Sequence, residues 1–256
     1  LTAVPAPNPR AAAEYYPAGY WFSLIRVPEK SDFPGNAPGG NGISPNMKTQ
    51  PEFIRMLKSG GCTACHQLGT KGTREMPKNI GTFHNSAAAW ERRVQSGQAG
   101  AQMAGGVNNM GKERVYTMFA DWTDRIAKGE LPRTKPTRPQ GIERNIVVTL
   151  EGLGDDKHYL HDIIATDKRK PTVNAYGPLY GSPEYSTDTL PVLDPVKHTM
   201  TTFHATVLDP KMPLSLGPGH AAGLTAMAPS AYWGEEQIWD TRVNNHNSMV
   251  DAKGRV

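Results

Sequence analysis

The chain is short of thiols. Its 256 residues contain two cysteines, Cys62 and Cys65, which leaves none to spare for miswired bridges. No second Cys-x-x-Cys or His-x-His pair lies nearby, so four zinc ligands cannot be assembled locally. No run of 18 apolar residues is present, which excludes a transmembrane helix of ordinary composition. No charged and then apolar leader follows Leu1, so the expectation is a mature chain or a piece of a longer one. A phosphate-cradling Gly-rich loop, a Gly-x-Ser-x-Gly elbow and a His-Glu-x-x-His pair are all missing, and no catalytic residue can be named. Apolar residues make up 38% and the mean hydropathy is -0.53, low for one compact core. Proline (22) and glycine (26) reach nearly a fifth of the chain, favouring irregular backbone over long helices.

What is there centres on Gly61-Cys62-Thr63-Ala64-Cys65-His66-Gln67. Cys-x-x-Cys-His is the attachment signature of a c-type haem. Two thiols three positions apart on a tight turn reach the two vinyl groups on one porphyrin edge, and His66 is carried under the iron as proximal ligand. A redox disulfide would want a thioredoxin-like strand before the motif and a long helix after it. Here a short amphipathic segment precedes it and a Gly- and Lys-rich loop follows. The expected cofactor is one covalently attached haem c, which places the protein in the periplasm or another extracytoplasmic compartment.

The flanks predict helices. Thr49-x-x-Glu52 is a capping box, and Phe53, Met56 and Leu57 follow on one face until Gly60-Gly61. A second helix is expected over Ala87 to Ser96, with Trp90 and Val94 on one face. The third starts after Gly111, where Val115, Met118, Phe119, Trp122 and Ile126 keep helical spacing up to Gly129 and Pro132. For the distal iron ligand the candidates are Met76, Met103, Met110, Met118 and His84. Met118 belongs to a packed face, Met110 sits one residue before the last helix, and Met76 follows His66 closely. Met103 leads, in a loop (97–106) whose glycines would let backbone approach a porphyrin. The predicted iron ligands are therefore His66 and Met103.

This order of elements over residues 45–132 resembles the class I c-type cytochromes. The resemblance implies an all-α domain in which the first and last helices cross beside the haem. Upstream, residues 1–44 read as a linker and an aromatic-rich extended segment after a missing β-domain. Tyr20, Trp21, Phe22, Leu24 and Ile25 are too apolar for a free tail. Downstream, Ile142 to Leu150 has the β-branched content of a strand, and residues 133–231 otherwise read as an irregular wrapping segment. His158-x-x-His161-Asp162 offers two metal ligands from one turn, or a plain helix surface with a cap. The last stretch (232–256), ending Asp-x-Lys-Gly-Arg-Val, is similar to the first blade of streptogramin (virginiamycin B) lyase-like β-propellers. Read whole, the chain resembles large secreted bacterial proteins joining a carboxypeptidase-regulatory-like domain, a cytochrome c and such a propeller. The fold expected is an all-α cytochrome c domain plus a largely irregular, β-containing C-terminal segment opening a propeller.

The net charge of +4 is uneven. Residues 45–132 hold twelve Lys/Arg against seven Asp/Glu, while the remainder nearly cancels. A basic haem region suits docking to an acidic redox partner or to other domains of the same polypeptide, although it also suits a merely soluble surface. No basic stripe is interleaved with aromatics, so nucleic acid is not expected. The leading function is one-electron transfer by a monohaem module. The alternatives are the haem-bearing part of a propeller dehydrogenase or lyase-like enzyme, and a structural subunit wrapping a larger redox complex.

Overall fold

The computed structural model describes the chain except for residues 1–4, 38, 61, 63–66, 77–80, 96–99, 147–150, 155–159, 184–186, 213–240 and 244. It divides into two units, Leu1–Ile146 and Val147–Val256.

The first unit is helical. Helices α1 (Pro9–Ala13) and α2 (Ala18–Phe22) precede α3 (Gln50–Arg55), α4 (Lys71–Arg74), α5 (Ser86–Gln95), α6 (Gly100–Met110) and α7 (Lys112–Ala127). The capping box of α3 forms as its sequence predicts. The Thr49 hydroxyl accepts from Glu52 N–H, and the Glu52 carboxylate accepts from Thr49 N–H at 3.0 Å. Beyond Arg55 the helix widens into a π-turn, Met56–Gly60, which leads into the Cys62 region. Helix α7 buries the predicted face, Val115, Met118, Phe119, Trp122 and Ile126.

The core of this unit also draws on residues far upstream. Trp21, Leu24, Ile25 and Ile43 pack in one cluster with Phe53, Leu57, Trp90 and the α7 face. Trp21 and Trp122 are fully buried, so each indole N–H needs an acceptor. Trp21 donates to Ala13 O at 3.1 Å, and Trp122 donates to Trp21 O at 2.9 Å. The Arg74 guanidinium carbon lies over the Trp21 ring, 4.3 Å from its centre, and the side chain donates to Gly69 O and pairs with Glu14. At Gly69 (φ +101°) a Cβ would lie 2.0 Å from Ala18 O, so the loop after the Cys62 region meets α2 backbone to backbone. A residue with a side chain could not close that contact.

The second unit contains an antiparallel meander of four strands in the order β1 (Asp162–Ile164), β2 (Leu179–Ser182), β3 (Thr189–Asp194), β4 (Thr199–His204). Asp162 pairs with Ser182, Tyr180 with Val192, and Val192 with Thr201. The β3–β4 hairpin is set by Asp194, whose carboxylate accepts from Val196 N–H and Lys197 N–H at 2.9 and 3.0 Å. The loop before β3 captures the returning chain: the Asp188 carboxylate accepts from Thr241 Oγ1 and from the N–H groups of Arg242 and Val243. A turn closes the described chain, with the Asp251 carboxylate accepting from Lys253 and Arg255 N–H around Gly254.

The expected fold class is corrected by this architecture. An all-α cytochrome c domain trailed by an irregular segment opening a propeller is not what forms: a helical unit is accompanied by an ordered four-stranded sheet. The strands escaped notice because their patterns carry little alternation. Pro191 sits inside β3, Gly181 inside β2, and all six residues of β4 are exposed. The start of the strand expected over Ile142 to Leu150 is corrected as well. Ile142–Asn145 is a 3₁₀ turn in which the Glu143 side chain accepts from Gly141 N–H, a local bond that competes with extension. Residues 147–150 lie outside the described residues.

Candidate functional site

Cys62 and Met103 come together in the helical unit. Cys62 follows the π-turn and is partly buried against the core. Met103 projects from α6, and both line one apolar hollow with Leu68, Trp90, Val94, Val107 and Phe119. This hollow adjoins a larger cavity of about 260 Å³, whose wall shares Leu68, Trp90, Val94 and Met103 and adds Gly72, Thr73 and Arg93. Trp90 is fixed there by its N–H bond to Thr123 Oγ1 at 3.1 Å and by the Arg93 guanidinium 4.8 Å above its ring. Arg93 is itself held by the Glu75 carbonyl at 3.0 Å and by the Gly72 carbonyl.

Cys65 and His66 lie outside the described residues. Of the other distal candidates, Met110 and Met118 are buried in the core, Met76 packs against that core, and His84 is exposed. Among the described residues Met103 alone of these five lines the cavity. Its setting differs from the loop expected. Residues 100–110 are helical despite glycines at 105 and 106, because Val107 and Met110, one turn apart, are both buried. The wall residues Leu68, Gly72, Thr73, Arg93 and Val107 were not singled out from the sequence. Only the Trp90/Val94 and Phe119 faces gave a periodic signal.

The chemistry of the wall is restrictive. Burial pushes the Cys62 thiol up to about 11, so it stays protonated at neutral pH and is a poor nucleophile or disulfide exchanger as it stands. Apart from Cys62 and the carbonyl-bound Arg93, no titratable side chain lines the cavity among the described residues.

The second sequence pattern, His158-x-x-His161-Asp162, belongs to the other unit. His158 lies outside the described residues, and His161 and Asp162 stand at the start of β1. No helix among the described residues is long and apolar enough to cross a membrane. Comparison with protein-family models, with curated proteins and with solved structures finds no match to this chain.

Proposed function

We propose that the helical unit holds one haem c, bound through thioethers to Cys62 and Cys65 with His66 and Met103 as iron ligands, and carries single electrons outside the cytoplasm. The observation that carries this reading is the convergence of Cys62 and Met103, distant in sequence, on one aromatic-walled apolar cavity. When bound, the group supplies one-electron exchange between ferric and ferrous iron.

The chain's own residues do the rest. Leu68, Val94 and Phe119 give the cavity an apolar wall, and Trp90 is locked in place by Thr123. A neutral sulfur suits the desolvated position of Cys62, because a thioether has no proton to lose. The thioether of Met103 favours the reduced metal. Several of the basic residues turn inward or pair: Arg74 with Glu14, Arg114 with Asp32, Arg125 with Asp121 and Glu130. Lys48, Arg55, Lys71 and Lys112 remain exposed, with Lys71 next to cavity-wall Gly72. They would meet an acidic redox partner.

Reductive titration of the native protein tests the reading. One electron per chain is expected, with no organic substrate required for reduction. Failure to take up any electron into a coloured centre would overturn it.

A further inference from the structure

We propose that His161, Asp162 and His246 form a solvent-open site for one divalent transition metal of the zinc class. Three segments build it. His161 N–H donates to Ser182 O at 3.0 Å, and Asp162 pairs with Ser182 across the β1–β2 ladder, so both residues are anchored on the sheet. The returning chain brings His246 from far along the sequence. Asn247 N–H donates to Asp162 Oδ2 at 3.0 Å, and the Ser248 and fully buried Ser182 hydroxyls meet at 2.5 Å. His246 is thus held against the sheet by the two tethered residues that follow it.

The donor atoms converge. His161 Nδ1 lies 2.9 Å and His246 Nε2 3.3 Å from the same oxygen, Asp162 Oδ2. The three donors all lie within 4.8 Å of one another, and the two rings meet edge to face at 4.6 Å. An ion about 2.0–2.2 Å from each donor holds neighbouring ligand atoms roughly 3.0–3.4 Å apart in octahedral or tetrahedral geometry. The two nitrogen-to-oxygen distances already match this spacing, and binding an ion would need the two imidazole nitrogens to settle within the same range. Two imidazoles and a carboxylate are the donor set of zinc and its borderline neighbours, whereas calcium and magnesium want a shell of oxygens.

The surroundings are compatible with an outer shell. His246 Nδ1 faces the Asn247 side-chain amide at 3.3 Å. With Nε2 on a metal, Nδ1 carries the proton, and a half-turn of the amide presents its oxygen as acceptor. Both histidines are exposed and Asp162 is half-buried, so three protein ligands leave a side open to water or a small anion. Such an ion would pin residues 246–248 onto the β1–β2 edge.

The test is zinc titration by calorimetry on the native protein, first stripped with EDTA. Saturable binding of one Zn²⁺ per chain is expected, weakened at least tenfold by His246→Ala and by Asp162→Asn. Zinc should raise the melting temperature of the second unit in the native protein and not in His246→Ala, whose exposed ring can be removed without loss of fold. His204→Ala, elsewhere on the sheet, should bind as the native protein does. Absence of saturable binding, or binding equally strong in His246→Ala and Asp162→Asn, would overturn the site.

Discussion

Replacing Met103 by alanine is expected to lower the reduction potential of the native protein by on the order of 0.1 V, within the roughly 0.8 V that axial ligands command. It should also remove the sulfur-to-iron charge-transfer band at the red edge of the visible spectrum. The reason is chemical: a thioether stabilises ferrous iron, and its loss hands the position to a harder ligand or to water. Met103 stands on the cavity wall beside Cys62 and is only half-buried, so its truncation need not collapse the unit. Met110 provides the comparison. It is fully buried, and Met110→Ala should cost about 2–5 kcal/mol of stability through the cavity it leaves, with the potential unmoved. An unchanged ferric spectrum in Met103→Ala would remove Met103 from the metal.

Gly111→Ala is expected to destabilise the helical unit by about 3 kcal/mol or more. Gly111 sits between α6 and α7 with φ +103°, a region that L-residues avoid. A Cβ there would lie 2.2 Å from Gly42 O, 2.5 Å from Ser44 N and 2.7 Å from Ile43 Cα. All three are backbone atoms, and Ser44 N–H is already bonded to Met110 O at 3.0 Å, so none can swing aside. Gly129 separates the two contributions. Its φ is +105°, yet nothing lies within 4 Å of its Cβ position. Gly129→Ala should therefore lose only the conformational part, about 1 kcal/mol. Denaturant midpoints at equal m-values measure both. Equal losses in the two variants would show that the close approach to residues 42–44 contributes nothing.

The same junction shows what could be read from the chain before its structure. Gly111 as the boundary of α7, the Thr49/Glu52 box and the α7 stripe are local features, and local spacing announces them. Helices α1 and α2 span five residues each, too short to show a period, and are held by tertiary contacts such as the Trp122–Trp21 bond. Helix α6 runs against its glycines and exists because its buried side packs on its neighbours. The strands lack a comparable signal: Gly181 and Pro191 interrupt β2 and β3, and the residues of β4 are all exposed, so no apolar alternation marks them. At the candidate site, Cys62 and Met103 were visible through residue type and spacing. Leu68, Thr73 and Arg93 were not, since a cavity wall is a property of packing and leaves no pattern in one segment. His246 beside Asp162 is a further instance, joined only by the return of the chain.

The most direct measurement is the intact mass of the native protein after denaturation and acidic solvent extraction, which remove any non-covalent group, paired with a pyridine haemochrome spectrum. One haem retained per polypeptide, with the spectrum of thioether-substituted vinyl groups, is the result expected for Cys62 and Cys65 as anchors. A bare polypeptide mass, with those two sulfurs free, bridged to each other or holding zinc, would contradict the account.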